Sequence, residues 1–294
     1  MKKVFFAVIV ACVLLAAATG GFSVIAETDG AKRALPSEDG VRPLPIIEPT
    51  VGVKESREDV VGTAVGLVSE FATSFDTGSV GRSCNIALAA SNFCWLKVGE
   101  GERLSFNATV GPRTEQRGYH SAKVIENGEY VVGIGGGVCQ VSTTLYNAWI
   151  RAGLSVESVR AHSLPSSYCE LSQDATVSEF IDLVLVNDGD GAVYIDAEAA
   201  AGTLTFRVYG TPRRERFEFV SEIEETIPPQ GETIEFVPSL DGEDYRVVRA
   251  ARNGYRTRLV RLTYAGETLK ERKVLRKDVY LAVPAKVLVA EDID

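Results

Sequence analysis

The chain has 294 residues, 45% hydrophobic and 24% charged, which is the composition of a soluble globular protein rather than a disordered one. This length exceeds one typical domain and fits two modest ones. The formal net charge of −9 excludes a molecule built as a whole to bind nucleic acid, and it makes the chain a poor general binder of anionic lipid.

The first 26 residues have the anatomy of a secretory signal. Lys2 and Lys3 form a positive start, and an apolar run from Val4 to Ala18 follows. This run is short for a membrane span, so we predict cleavage near Ala26, with a retained amino-terminal anchor as the alternative. No later segment is long and apolar enough to span a bilayer. We therefore expect an extracytoplasmic protein, secreted or attached to the outer face of the cytoplasmic membrane or to the cell wall, where disulfides can form.

Three further segments follow along the chain. Residues 27–50 contain four prolines among glycine, serine and charged residues, which predicts an extended linker. Residues 51–210 combine strand-like and helix-like patterns and predict an α+β domain. Residues 211–294 show strand-length segments divided by turns such as Asp241-Gly242 and Asn253-Gly254, which predict a small all-β module.

Several elements of the α+β domain can be predicted individually. A helix is indicated where Val141, Leu145, Ala148, Trp149 and Ala152 recur at helical spacing, with Gly153 at its end. A second, short helix is predicted at Asn85–Asn92, and a hairpin is predicted around Asn127-Gly128. Strands are predicted at 67–76, 155–160, 180–186, 192–197 and 203–209; the nearly continuous apolar run at 180–186 suggests burial on both faces.

The string Gly-Gly-Gly-Val-Cys-Gln-Val-Ser-Thr-Thr-Leu-Tyr-Asn-Ala at 135–148 resembles the signature of the VanW family. Further family-like strings occur in the expected order over about residues 65–210, and they include Val110-Gly-Pro-Arg-Thr114 and His162-Ser-Leu-Pro165. The family is named for vancomycin-resistance clusters and is associated with bacterial envelopes. The resemblance therefore implies an envelope protein.

The tail resembles the five-glycine-type domain that often follows VanW-type domains. The likeness rests on Glu224-Glu-Thr-Ile-Pro-Pro229, Gly254-Tyr255 and Val279-Tyr280 with Pro284. It implies binding to the amino sugars of the cell wall, so the expected partners are peptidoglycan or wall polymers and not nucleic acid.

Cys139 is the candidate nucleophile, because it stands directly before the predicted helix. Unpaired amides and the helix dipole stabilise a thiolate there. A thiolate also needs a base and an orienting group, and His162 is one of only two histidines. Asp174 and Asp182 follow as candidate carboxylates. The order resembles that of transglutaminase-type cysteine peptidases, by analogy only.

Alternatives remain open for each of these residues. Cys139 is also explained as a small buried residue or as a disulfide partner, since Cys84, Cys94 and Cys169 also follow the signal. His162 is also explained as a hydrogen-bonded residue at a strand end, Asp174 as a turn or capping residue, and Asp182 as an acceptor for buried donors. No metal or cofactor is expected, because CxxC and HxxxH spacings are absent.

Two groups of residues are candidates for binding. The glycine-cysteine string supplies Gly135, Gly136, Gly137, Gln140, Ser142 and Thr143. Residues 246–277 contain eight arginines and three lysines against two glutamates, with Arg256 and Arg258 on one strand face. The hypothesis is contact with wall polyanions; the alternative is a solvated sheet face.

Two functions are consistent with these patterns. The first is a cysteine-dependent enzyme that transfers acyl groups or hydrolyses amides in peptidoglycan peptides, linked to glycopeptide resistance or wall maintenance. The second is a non-catalytic wall-binding protein in which the glycine-cysteine loop holds a ligand or the fold.

Overall fold

A computed structural model describes residues 52–57, 60, 65–126 and 129–291, and these belong to one compact unit that spans residues 46–294. The predicted signal, the linker and the turn at Asn127-Gly128 lie outside the described residues. β-Sheet dominates and helices are few, which agrees with a mixed α+β chain. No helix of the described residues is long and apolar enough to cross a membrane.

The elements are numbered here in chain order. They are β1 (Val53–Lys54), β2 (Gly66–Ser74), α1 (Val80–Ala90), β3 (Leu96–Val98), β4 (Arg103–Ser105), α2 (Phe106–Val110), β5 (Ser121–Glu126), β6 (Glu129–Ile134), α3 (Val138–Arg151), β7 (Ser155–Ser158), β8 (Val184–Val186), β9 (Val193–Ala200), β10 (Thr203–Gly210), β11 (Glu215–Ile227), β12 (Glu232–Val237), β13 (Tyr245–Arg249), β14 (Gly254–Ala265), β15 (Thr268–Tyr280) and β16 (Ala285–Ala290).

Helix α3 packs across an antiparallel sheet of order β1-β3-β9-β10-β2. Its apolar residues, among them Leu145 and Trp149, are fully buried, as their helical spacing predicts. Two polar residues of β2 also face the helix. Ser69 donates to the Ala148 carbonyl over 2.6 Å, and the hydroxyls of Thr73 and Thr144 lie 2.9 Å apart. These bonds fix the helix against the sheet and satisfy the buried hydroxyls.

Smaller sheets flank this core. Strands β4, β8 and β7 form an antiparallel sheet in the order β4-β8-β7, and β5 pairs with β6 as the predicted hairpin. The strand predicted at 180–186 is corrected, because only Val184–Val186 is a strand and Phe180 is 91% exposed. An apolar run does not reveal that its first residues turn out of the sheet.

The C-terminal residues form two three-stranded sheets, β11-β14-β15 and β12-β16-β13. The first is a long antiparallel sheet, whereas β12 runs parallel to β16. The described residues of 211–291 contain strands and no helix. The domain boundary near residue 211 stays a prediction.

Candidate active site

Cys139 lies in the first turn of α3. Gly137 precedes the helix in a left-handed conformation, with φ of 108°. Every residue of α3 is buried except Cys139 and Arg151. Cys139 instead lines an open cleft of about 1610 Å³. Of the three α3 residues that line the cleft, Val138, Cys139 and Gln140, Cys139 is the only one with a nucleophilic side chain.

The three glycines before Cys139 are required by close packing. A Cβ on Gly136 would lie 2.7 Å from the carbonyl oxygen of Lys123 in β5, and one on Gly137 would lie 2.9 Å from Ile86. Gly135 has φ of 84° and contacts Arg113. The backbone that approaches these glycines closely is therefore that of this chain, and the approach fixes the start of α3 against α1 and β5.

A long irregular segment between β7 and β8, residues 159–183, brings the other candidate residues to Cys139; we call it the site loop. Its His162 forms two hydrogen bonds with Asp174 Oδ2: the backbone N–H over 2.6 Å and ring Nδ1 over 2.7 Å. His162 is also within electrostatic range of the Cys139 sulfur, which itself hydrogen-bonds with the Val177 carbonyl over 3.3 Å and the Val177 N–H over 3.5 Å. The structure thus brings His162, held by Asp174, next to Cys139, which is the arrangement that activates a cysteine nucleophile.

Helix α3 holds the site loop from one side. Ser142 donates to the Ala175 carbonyl over 2.6 Å, and Thr143 accepts from the Ala175 N–H over 2.9 Å. Asn147 donates to the Gln173 carbonyl over 2.6 Å. These side chains therefore clamp the backbone on both sides of Asp174.

The C-terminal sheet holds the same loop from the other side. Tyr280 on β15 donates its hydroxyl to Asp174 Oδ1 over 2.5 Å and accepts from the Ser172 N–H over 2.6 Å. Arg276 donates to the Asp174 carbonyl over 2.9 Å, and its guanidinium also forms two hydrogen bonds with Asp278. Both carboxylate oxygens of the buried Asp174 are thus hydrogen-bonded.

The electrostatics favour a thiolate–imidazolium pair. Burial alone raises the pKa of Cys139. The hydrogen bond and charge of His162 lower it by more than burial raises it, so the resulting pKa is about 7, below the ordinary 9.0. For His162, burial lowers the pKa while Asp174 and the Cys139 thiolate raise it, to about 10. Burial raises the pKa of Asp174, but His162 and Tyr280 lower it below its usual value of 3.8. Each charged form is therefore stabilised by its neighbour.

Other cysteines lack this environment. Cys84, Cys94, Cys139 and Cys169 are all free thiols, so Cys139 forms no disulfide with any of the other three. Burial raises the pKa of Cys169 to about 12, and burial also raises that of Cys94. No group of three or more His, Cys, Asp or Glu among the described residues could hold a metal ion.

Asp182 lies away from the histidine, in contrast to its grouping with Asp174 in the sequence. One of its carboxylate oxygens accepts from the Ser105 hydroxyl, and the other accepts from the Asn107 N–H over 2.9 Å. The carboxylate thus satisfies donors at the start of α2, which is the alternative that the sequence left open for it. The structure brings Asp174, not Asp182, to His162.

The candidate binding residues of the glycine-cysteine string have structural contacts. Gln140 is 1% exposed; it donates to Thr73 Oγ1 and to the Ser74 carbonyl, and its Oε1 accepts from Arg82 over 2.8 Å. Ser142 and Thr143 are fully buried, so they contact the site loop rather than the open cleft.

In the C-terminal sheet, Arg256 pairs with Glu225 at 2.8 Å, and Arg258 pairs with Glu222 and Glu224 at 2.6 and 3.2 Å. The basic stretch therefore faces an acidic strip on β11, which cancels much of its field.

Two residues of the site were not among the candidates. Tyr280 lies 106 residues from Asp174 in sequence, and no local pattern indicates their contact. Arg113 lines the cleft and interacts electrostatically with Cys139. It belongs to the Gly-Pro-Arg-Thr string, which was noted only for its resemblance.

Comparisons with known proteins agree with the sequence pattern. Residues 81–209 match the family described as "VanW like protein". The chain is 33% identical over 173 residues to the "Uncharacterized protein YoaR" of Bacillus subtilis, which covers 58% of this chain and 57% of that protein. It is 31% identical over 112 residues to the "Vancomycin B-type resistance protein VanW" of Enterococcus faecalis, which covers 36% of this chain and 41% of that protein. The matches thus span less than two thirds of either relative.

Two solved structures are similar to part of the chain. "IgA1 Protease G5 domain structure" is 22% identical, covers 28% of this chain and 98% of that one, and has a TM-score of 0.18. "Crystal structure of HP0197-G5" is 13% identical, covers 26% and 95%, and has a TM-score of 0.15. Both names include a G5 domain, the type that the tail resembles in sequence.

Proposed function

We propose that this chain, which is similar to the VanW family over residues 81–209, is an exported cysteine-dependent enzyme that transfers acyl groups or hydrolyses amides in peptidoglycan peptides. The observation that carries this proposal is the placement of His162, hydrogen-bonded to Asp174, beside Cys139 in an open cleft that both residues line. A merely structural cysteine needs neither a lowered pKa nor a histidine whose ring is held by a buried carboxylate.

The roles of the three residues follow from their protonation. At neutral pH the Cys139 thiolate attacks the carbonyl carbon of an amide, and the carbonyl π electrons move to oxygen. As the tetrahedral intermediate collapses, His162 gives its proton to the leaving amine, and a thioester forms on Cys139. Water or a second amine then attacks the thioester, His162 takes up the proton, and the thiolate leaves. Asp174 holds the imidazole in one orientation and stabilises its protonated form.

The start of α3 also offers a donor for the developing oxyanion. The first N–H groups of a helix have no intrahelical acceptor. Those of Val138 and Gln140 donate to the carbonyls of Gly135 and Gly137 over 3.1 and 3.0 Å. The Cys139 N–H is the remaining donor next to the nucleophile, in the position where many acyl-transfer enzymes bind an oxyanion.

The cleft suits an extended peptide. Apolar side chains that are well exposed line part of it, namely Ile134, Val279 and Leu281. A relative is named as a vancomycin-resistance protein, which supports a substrate in the cell wall. The five-glycine-type resemblance of the tail supports the same location.

A single experiment tests the chemistry. The mature chain is incubated with purified peptidoglycan peptides, and mass spectrometry follows both products and an acyl adduct on Cys139. We expect Cys139→Ser to lose turnover and adduct, whereas Cys169→Ser, the same replacement at a thiol outside the cleft, retains both. Turnover that survives Cys139→Ser would contradict the proposal. A wall-bound protein that forms no adduct and no product would favour the non-catalytic binding role.

Export is tested separately. Amino-terminal sequencing of the protein from the extracytoplasmic fraction should give a chain that begins near Glu27. An intact Met1 in the membrane fraction would favour the anchor, and a cytosolic pool would contradict export.

A further inference from the structure

The arginines of the cleft differ from those of the C-terminal sheet in their partners. Arg82, Arg113 and Arg160 line the cleft, and none of them forms an ion pair with a carboxylate of the described residues. By contrast, the arginines of β14 and β15 are ion-paired: Arg256, Arg258, Arg261, Arg272 and Arg276. The cleft around Cys139 therefore holds three arginines whose charge is not compensated by an ion pair with a described residue.

Arg113 is the cleft arginine whose position is best defined. Its Nη2 donates to Asn107 Oδ1 over 2.6 Å, and Nη1 lies 3.5 Å from the Ser178 carbonyl. Asn107 is itself fixed by donating to the carbonyls of Ser178 and Ile181. A guanidinium has five N–H donors, so most of those of Arg113 have no acceptor among the described residues.

A partly buried guanidinium without a carboxylate partner is costly. Burial lowers the pKa of Arg113, and the charge of the Cys139 thiolate raises it in part, so the guanidinium is within electrostatic range of the nucleophile. Asp182 is also near, but its oxygens are engaged by Ser105 and Asn107. An anion from outside would supply the missing acceptor.

The carboxylates of the cleft do not fill this role. Asp278 is bound by Arg276, and the exposed Asp76 accepts from the Gly78 N–H. Glu179 is exposed at the rim and forms no ion pair with a described residue. The fork of Arg113 is therefore left open to a ligand, and its geometry matches the two oxygens of a carboxylate.

We propose that Arg113 binds a carboxylate of the substrate, so that Cys139 attacks a peptide that carries a free carboxylate close to the scissile bond. This inference rests on the proposed function, because it assigns the substrate class of the same cleft. Arg82 and Arg160, which also line the cleft, attract such a peptide, and the guanidinium fork of Arg113 fixes its register.

The test uses two alkylating reagents of similar size and different charge. Iodoacetate carries a carboxylate and iodoacetamide does not, so the ratio of their rates at Cys139 measures the anion preference of the cleft. We expect the ratio, relative to that of the unfolded chain, to be raised roughly tenfold, the effect of one charge-assisted hydrogen bond. Peptide mapping assigns the label to Cys139.

Three variants and added salt sharpen the result. Arg113→Gln should return the ratio towards that of the unfolded chain, and Arg113→Lys should keep part of it. Arg216→Gln is the matched control, since Arg216 is exposed on β11 outside the cleft. Added salt should lower the ratio of the iodoacetate rate to the iodoacetamide rate in the wild type, because ions screen the charge of the cleft. This measurement tests the anion preference even if Arg113→Gln does not fold.

A second probe addresses the peptide itself. N-acetyl-alanyl-alanine should protect Cys139 from iodoacetamide better than its carboxamide does, and Arg113→Gln should remove the difference. A rate ratio that equals that of the unfolded chain and is insensitive to salt, with rapid iodoacetamide labelling, would overturn the carboxylate site alone. Slow iodoacetamide labelling would overturn the nucleophile and with it the proposed function.

Discussion

Tyr280 of the C-terminal sheet donates a hydrogen bond of 2.5 Å to Asp174, the carboxylate that holds His162. The same hydroxyl oxygen accepts from the Ser172 N–H. The two parts of the chain thus meet at the residue that orients the proposed base. The C-terminal sheet is a structural component of the site as well as a candidate wall-binding surface.

Tyr280→Phe should weaken the site without opening the core. The phenyl ring preserves packing, but Asp174 loses one donor and the buried Ser172 N–H loses its acceptor, at a cost of about 1–3 kcal/mol in the free energy of unfolding. Labelling of Cys139 at pH 7 should slow by roughly a few-fold, because His162 is held less firmly. Tyr264→Phe is the control, since its hydroxyl has no hydrogen bond among the described residues. Equal effects of the two variants would contradict a role for Tyr280.

The alkylation rate of Cys139 should rise with pH at a lower pH than for an ordinary thiol, because the pKa of Cys139 is lowered. Its pKa of about 7 lies below the ordinary 9.0, so the thiolate and the iodoacetamide rate should develop around pH 7. His162→Ala removes the two largest lowering effects and leaves burial opposed only by the hydrogen bonds of Val177 and Thr176, so the midpoint should rise well above that of the wild type. The measurement is the pH–rate profile at Cys139. A wild-type midpoint near 9, unchanged in His162→Ala, would argue for a structural cysteine.

Asp174→Asn should destabilise the fold in a manner that depends on pH. Because the folded pKa of Asp174 is lowered, its contribution is present above the unfolded value of 3.8 and is lost as pH falls through the folded value. Removing one member of the buried pair costs about 3–5 kcal/mol at pH 7. Melting temperatures of wild type and variant should therefore differ strongly at pH 7 and converge only as pH falls below 3.8 and through the lowered folded pKa of Asp174. Asp190→Asn, at an exposed position, should change neither the melting temperature nor its dependence on pH.

Much of the site could be predicted from local sequence. Helical spacing and the terminal glycine predicted α3, and the thiol at the start of that helix indicated Cys139. The scarcity of histidine indicated His162. The sequence could not decide between Asp174 and Asp182, since both lie in the irregular site loop and no periodicity shows which carboxylate turns towards the imidazole.

Contacts between distant segments could not be predicted. Tyr280 reaches Asp174 only because β15 packs against the site loop. The pairing of Arg256 and Arg258 with glutamates depends on the register of β11 and β14, in which Arg256 lies opposite Glu225 and Arg258 opposite Glu222. Composition alone therefore indicated a basic stretch and gave no sign of the acidic strip beside it.

Gly136→Ala should destabilise the chain, because the new Cβ would lie 2.7 Å from the Lys123 carbonyl oxygen and 2.8 Å from Ala122 Cβ. Displacing β5 to make room should cost about 1–3 kcal/mol, as overpacking does. Gly66→Ala is the matched control, since its Cβ would lie 3.6 Å from Pro212. Denaturant unfolding of both variants measures the difference. A neutral Gly136→Ala would show that the glycine string is not required for packing.

Wall binding by the C-terminal sheet should depend on unpaired lysines rather than on Arg256 and Arg258. The two arginines form ion pairs with glutamates at 2.6 to 3.2 Å, and these glutamates cancel much of their electrostatic field. Lys270 and Lys273, by contrast, are exposed and form no ion pair with a described residue. We therefore expect Lys270→Glu/Lys273→Glu to reduce the salt-sensitive retention of the mature chain on purified walls. Arg256→Glu/Arg258→Glu changes the local charge by the same amount but removes no unpaired cation, so it should reduce retention less than the lysine variant does.

The arginine variant carries a structural risk that its melting temperature reveals, since like charges opposite one another on β11 and β14 are destabilising. Retention is therefore compared only at temperatures where both double variants remain folded. If the arginine variant alone loses retention, the wall polymer opens the ion pairs and the arginine face is the binding surface. If neither variant changes retention, the basic stretch is a solvated face, and any attachment to the wall runs through the cleft around Cys139.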